Sequence, residues 1–241
     1  MWAPGCRFRY SGALKTRRGF VTLAERLAEV KRRIAAASAN SGRDESEITL
    51  VAVSKTISVE VVAEAVAAGV SDLGENRAQE LRDKVAALGY IARWHFVGHL
   101  QSNKVRHVVG ACALIHSVDS AGVAEEIAAR AQRSGLVQEV LLEVNVSGEA
   151  SKHGVVPSEI SGLLAHIHDL DGILATGLMT IPPWPEDPEE SRPFYRELAE
   201  LAGGHGLERL SMGMTRDFEV AISEGSTLVR VGEAIFGARR L

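Results

Sequence analysis

The chain has 241 residues, enough for one large domain or two small ones. Its 46% hydrophobic and 24% charged content is ordinary for a globular protein, and a net charge of −4 leaves no basic footprint for nucleic acid or an anionic membrane. Cys6 and Cys112 show neither CxxC nor metal-ligand spacing, which points to a reducing, cytoplasmic setting, and no apolar run is long enough to span a bilayer.

Residues 1–20 are rich in Lys and Arg, contain no acid and lack an unbroken apolar stretch, so they read as a disordered or non-native tail rather than a secretory signal. Residues 21–241 are expected to form the functional domain. An amphipathic helix is predicted over 22–39, with Leu23, Leu27, Val30 and Ile34 at helical spacing. Thr22 is its predicted N-cap, with Glu25 three residues on. Strands are then predicted at 48–54, 71–74, 94–98, 113–118, 138–146, 172–178, 208–211 and 227–231. Helices are predicted between and around them at 58–68, 76–88, 102–109, 120–134, 157–169, 189–202 and 215–223.

Strands of nearly continuous apolar character, such as "VLLEVNV", suit a parallel sheet covered on both faces. Eight strand–helix units within about 220 residues fit a single closed (β/α)8 TIM barrel, with the 22–39 helix as an N-terminal addition. An open doubly wound sheet is the alternative, but neither GxGxxG nor GxxxxGK[ST] occurs. The segment "TIPPWPEDPEESRP" holds five of the seven prolines and reads as a rim loop after the sixth strand.

In such a barrel the active face lies where strands end. The first strand ends in Lys55. Alone, that ammonium is most simply a solvated charge; at a barrel mouth it is also a candidate imine-forming amine. "SMGMTRD" places Ser211, Met212, Gly213 and Thr215 in a turn ahead of a helix, and "VRVGEAIFG" places Gly232 and Glu233 at the next strand end. Each turn alone reads equally as a cap or a packing glycine. On neighbouring strands seven and eight, together they favour a phosphate site. Lys55 on strand one lies beside strand eight once the barrel closes. A free lysine, with a pKa near about 10.4, is almost wholly protonated at pH 7, so burial and a nearby cation such as Arg230 would be needed to free its lone pair. An amine beside a phosphate site points to pyridoxal 5′-phosphate, which carries both an aldehyde and a phosphate.

The ordered motifs "VAVSKT", "GENRAQE", "WHFVGHLQSNKVR", "GLMT", "SMGMTRD" and "VRVGEAIFG" resemble the YggS/PROSC family of pyridoxal phosphate-binding proteins over about residues 22–240. The resemblance implies a barrel like the N-terminal domain of alanine racemase and an imine between the cofactor and Lys55. It also implies a role in pyridoxal phosphate and amino-acid homeostasis without assigned turnover. Carried over by motif, Ser211, Thr215 and the N–H groups around Gly232 and Glu233 would hold the phosphate, Met212 and Gly213 would belong to the cofactor site, and Arg230 would face the pyridine nitrogen. Asn76, His99, Gln101 and Asn103 would line the mouth. The family commonly has serine at position 215 and a small hydroxyl residue at 233. A carboxylate 4 Å from a phosphate charge would cost roughly 4 kcal/mol at an effective dielectric of 20, so Glu233 is expected to point outward.

Two enzyme readings compete: an amino-acid racemase using the same imine, and an imine-forming aldolase. The racemase would need an opposing base, a tyrosine in alanine racemase, and Tyr10, Tyr90 and Tyr195 lie at no predicted strand end. No metal site is expected. His95 and His99 straddle a strand end, and His166 and His168 are two apart on a helix. Lys104 and Arg106 read as a solvated face, and Asp217 and Glu219 as first-turn acids suited to a helix dipole. The small-molecule cofactor is the one partner expected. The chain is expected to be a monomer, with a weak dimer left open.

Overall fold

The fold is known from a computed structural model that describes residues 21–149 and 151–237; the expected tail, 1–20, lies outside the described residues. Helix α1 (Leu23–Asn40) begins at a capping box: Thr22 Oγ1 accepts from the Glu25 N–H at 3.2 Å and the Thr22 N–H donates to Glu25 Oε2 at 2.7 Å. Its buried stripe includes Leu23, Leu27, Val30 and Ile34, each worth about 1.5–3 kcal/mol on full burial. The helix lies against the last two helices of the chain.

Eight strands follow: β1 (Thr49–Val53), β2 (Asp72–Glu75), β3 (Arg93–Phe96), β4 (Leu114–Val118), β5 (Gln138–Glu143), β6 (Ile173–Met179), β7 (Arg209–Ser211) and β8 (Leu228–Val231). They pair in chain order, all parallel, and β1 pairs with β8 through Val51↔Arg230 and Ala52↔Val231, closing the barrel. The outer layer contains α2 (Val59–Ala67), α3 (Ala78–Leu88), α4 (Ala121–Arg133), α5 (Ile160–His168), α6 (Arg192–Gly204), α7 (Phe218–Ser223) and α8 (Glu233–Phe236). Among the described residues no helix is long and apolar enough to cross a membrane.

The strand period of two sorts the side chains. Outward residues such as Leu73, Trp94, Phe96, Ile115, Val140 and Leu142 join the helices in the main core. Inward residues Val51, Val97, Leu114, Leu141, Met179 and Leu228 form a separate cluster within the barrel. Other inward positions are polar yet buried: Asp72, His95, His116, Ser211 and Arg230.

The elements depart from the sequence reading at their ends. The helix predicted over 102–109 is a 3-10 helix, Ser102–His107, in which only Val105 is buried, too short a stripe to propagate an α-helix. The strand predicted over 138–146 ends at Glu143; the Asn145 N–H turns to the Val155 carbonyl at 2.9 Å and the Val155 N–H donates to the Glu143 carbonyl at 2.9 Å. The helix predicted from 215 starts at Phe218, because the Asp217 side chain closes a turn on the Met214 N–H at 2.8 Å. The 189–202 helix begins as a 3-10 turn, Pro188–Ser191, and runs on to Gly204.

One close approach sets the seam between β6 and β7. A Cβ on Gly177 would lie 2.0 Å from the Arg209 carbonyl oxygen, so only glycine fits. Gly177→Ala should destabilise the protein by about 1–3 kcal/mol or more in urea unfolding, the usual range for overpacking; an unchanged midpoint would mean the seam can relax.

Candidate functional site

The C-terminal ends of the strands surround a cleft of about 320 Å³, within the range of small-molecule pockets. A second hollow, of about 340 Å³, lies at the opposite end, where Arg93 and Arg209 are already paired with Asp72 and Glu139. The C-terminal cleft differs in holding polar groups without partners. Asn76 and Glu143 both line it, and each keeps a buried oxygen, Oδ1 and Oε2, without a hydrogen-bond partner.

Lys55 reaches this cleft from the end of β1. The next residue, Thr56, has φ +65°, the one positive value at a non-glycine among the described residues. Such a backbone costs of order 1–3 kcal/mol and must be held by its surroundings. A buried network does so. Lys84 Nζ on α3 donates to the Ser54 carbonyl at 2.6 Å and to Glu75 Oε1 at 2.6 Å. Ser54 Oγ donates to the same carboxylate oxygen at 2.5 Å, and the Thr56 N–H donates to Glu80 Oε2 at 2.8 Å. Both neighbours of Lys55 are thus tied to β2 and α3. Burial raises the Glu75 carboxyl, against the lowering effect of Lys84 and Ser54.

Arg230, 4% exposed, is the floor of the cleft. Its Nη1 donates to the Ser211 carbonyl at 2.7 Å and to Ser211 Oγ at 2.5 Å, and its Nη2 to the Thr180 carbonyl at 2.9 Å. Burial lowers its pKa, yet a guanidinium stays protonated in a protein. Ser211 Oγ continues to His116 Nδ1 at 2.8 Å, His116 Nε2 to His95 Nδ1 at 3.0 Å, and His95 Nε2 to Asp72 Oδ1 at 3.0 Å. One set of tautomers satisfies every link: each group from Arg230 downward donates to the next, ending on the Asp72 carboxylate. Burial first, and then the neighbouring His95 and Arg230, hold the His116 pKa well below its usual value. Burial alone would raise Asp72, but hydrogen bonds from His95, Arg93 and Ser71 prevail and hold it at about 2.

Three of the expected cofactor-binding residues are not among those lining the cleft. Ser211 ends β7 facing inward, and its hydroxyl is committed to Arg230 and His116. Met212 is fully buried, its N–H bonded to the Leu228 carbonyl at 3.2 Å. Gly213 turns the chain at φ +91°, where a Cβ would meet Ala221 Cβ at 2.5 Å. The wall is formed instead by Met214, Thr215, Arg216 and Asp217, facing Gly232 and Glu233. Glu233 is exposed and opens α8, whose first N–H groups have no intrahelical acceptor. Asn76 and His99 line the mouth, whereas the exposed Gln101 and Asn103 are not among the lining residues.

Asp217 does more than suit a dipole. It is buried, and its Oδ2 accepts from Ser191 Oγ at 2.8 Å and from the Tyr195 hydroxyl at 2.7 Å while Oδ1 holds the Met214 N–H. Tyr195, placed by sequence on an outer helix, therefore braces the 214–217 turn from beneath. The proline-rich loop contributes Trp184, whose ring lies under the Arg216 guanidinium at 4.8 Å.

Glu143, Asp119 and His153 were not singled out by sequence. Glu143 looked mid-strand within "VLLEVNV", and only the early end of β5 puts it at the mouth. His95 and His99 do not converge: His95 points down the barrel, while His99 lies 3.3 Å from Asp119 and stacks on His153 at 3.7 Å and 10°. The ligand atoms of His99, Asp119 and His153 all lie within 4.8 Å of one another. A metal must sit in the plane of each ligating ring, and two parallel rings 3.7 Å apart share no such point, so this arrangement is a stack and not a ligand set.

Lys84→Met would leave Glu75 buried without its cation and should cost about 3–5 kcal/mol in chemical denaturation, as for other broken buried pairs. A loss below about 1 kcal/mol would show that the Lys55 turn is held by other contacts.

Residues 25–240 match the family described as alanine racemase, N-terminal domain. The chain is 45% identical over 223 residues to the pyridoxal phosphate homeostasis protein of Aquifex aeolicus, covering 90% of this chain and 98% of that one. It is 40% identical over 228 residues to the protein of the same name in Escherichia coli, covering 90% and 97%. Among solved structures, PipY of Synechococcus elongatus with pyridoxal phosphate bound superposes at TM-score 0.77 and 33% identity, covering 90% of this chain and 100% of that one. An alanine racemase from Clostridium difficile shares the fold at TM-score 0.66 and 16% identity, covering 88% of this chain and 58% of that one. Sequence identity across nearly the whole length, on a closed parallel barrel with a lysine at the end of its first strand, places the chain in the pyridoxal phosphate homeostasis protein family, on the alanine racemase N-terminal domain fold.

Proposed function

We propose that this protein binds pyridoxal 5′-phosphate in the C-terminal cleft, with Lys55 as the covalent anchor, and acts in cofactor homeostasis rather than as an enzyme with committed turnover. The observation that carries the reading is the convergence of Lys55, Arg230 and the strand-seven and strand-eight turns on one cleft. The names of the relatives and the cofactor in PipY support it.

The residues present suit the group. The cofactor supplies an aldehyde for a primary amine, an anionic phosphate and a planar ring. Lys55 offers the amine. Thr215, the first N–H groups of α8 and the cation of Arg216 suit the phosphate. Arg230, fixed by Ser211 and Thr180, presents a donor that keeps its proton. A ring nitrogen beside it stays unprotonated, which weakens the ring as an electron sink and disfavours transamination. Asn76 lines the same cleft with an unpartnered acceptor oxygen.

Two outcomes test the reading. Borohydride treatment of cofactor-loaded protein followed by peptide mapping should place the adduct on Lys55, and Lys55→Ala should abolish it; an adduct on Lys104 or Lys152 would reassign the anchor. Exchange of the α-hydrogen of alanine in deuterated water should proceed no faster than with free cofactor, because Tyr195 is buried against Asp217 and offers no opposing base. Rapid, stereochemically complete exchange would favour a racemase.

A further inference from the structure

We propose that Glu143 is a ligand-contacting acid of this cleft: held as a neutral carboxylic acid, it donates a hydrogen bond to bound pyridoxal phosphate and links cofactor affinity to pH. The inference rests on the cofactor reading above. It begins from position. Glu143 is the last residue of β5, four strands around the closed barrel from β1, so it stands across the cleft from Lys55.

The carboxyl is 6% exposed and its Oε2 has no partner, although a buried polar atom left unpaired costs about 1–3 kcal/mol. Stabilising contacts would have satisfied it from the protein itself. The residue instead lines a cleft that only a ligand or solvent can fill. A carboxylate there would be costly twice, by desolvation and by the anionic character of the cofactor. A protonated carboxyl has neither penalty and supplies a donor.

The surroundings favour the neutral form. Burial is the largest influence and Asp119, beyond β4, the next; Arg230, on β8, opposes them, and the balance raises Glu143 to about 7. The cleft also presents Lys55, His99, His153, Arg216, Asp217 and Glu233, while His116 lies below on β4. The sign follows directly. Below about pH 7 the proton is present and the donor is ready; above it, binding must draw a proton from solvent, and affinity falls by up to about tenfold per pH unit. Glu143→Gln keeps the shape and donates an N–H at every pH.

The test titrates pyridoxal 5′-phosphate into the full chain and into Glu143→Gln between about pH 6 and pH 8.5, by calorimetry in buffers of different ionisation enthalpy. Proton exchange by the cofactor and by the rest of the cleft is common to both proteins, so the difference isolates Glu143. The expected result is a wild-type to variant ratio of Kd that rises about tenfold or more across the range, with extra proton uptake in the wild type alone. A ratio constant within about twofold, with equal proton uptake, would overturn the inference while leaving the cofactor reading standing. Absence of saturable binding by the wild type would overturn that reading and this inference with it. Should the variant fail to fold, proton uptake by the wild type near pH 8 still decides: none beyond that of the cofactor and lysine counts against Glu143.

Discussion

Eight parallel strands close on themselves only if β1 meets β8, and the register of that meeting sets the geometry of everything at the mouth. Val51 pairs with Arg230 and Ala52 with Val231, so Lys55 leaves β1 beside the turn from Gly232 into α8. The amine and one of the two anion-suited turns are therefore neighbours by hydrogen-bond register, although some 180 residues of chain separate them. Closure also removes both sheet edges and covers each strand on two faces, which is why the outward strand positions are largely apolar.

The inward face answers to a different constraint. A guanidinium beneath the mouth loses its hydration, and that cost is tolerable only if fixed dipoles replace water. Arg230 receives two carbonyls and a hydroxyl. The hydroxyl is itself held by His116, and the chain of donors continues through His95 to Asp72 at the far end of the barrel. A positive group at one end and a carboxylate at the other are joined by oriented dipoles, so each link stabilises the next. Ser211 belongs to this column, not to the anion wall.

Around the mouth the protein stores unfavourable arrangements and compensates for them nearby. Thr56 adopts a left-handed backbone, and the turn that contains it is pinned by Lys84 and Glu80. The 214–217 turn is braced by Asp217, Ser191 and Tyr195, none of which faces a ligand with its bonded atoms already spent. Glu143 and Asn76, which line the cleft, each keep a buried oxygen without a partner.

Much of this was legible in the chain. The strands were found to within a few residues because burial on both faces leaves a local signature, runs of Val, Leu and Ile. Thr22 and Glu25 announced the first helix because a capping box is a contact between residues three apart. Lys55, Thr215, Arg230 and Gly232 were placed at the mouth because strand ends follow from strand positions. What sequence could not decide was which side chain faces which neighbour at those ends. The fate of Ser211 depends on a one-residue alternation at a strand terminus, where a shift of one reverses inside and outside. Glu143 became a mouth residue only because β5 stops early, where Val155 bonds the Glu143 carbonyl and the Asn145 N–H. The Lys84–Glu75 clamp, the histidine column and the Asp217–Tyr195 brace join residues far apart in the chain. Their side chains carry no periodic signal, and only the closed barrel, by bringing distant strands and helices to one end, fixes their partners and their charge states.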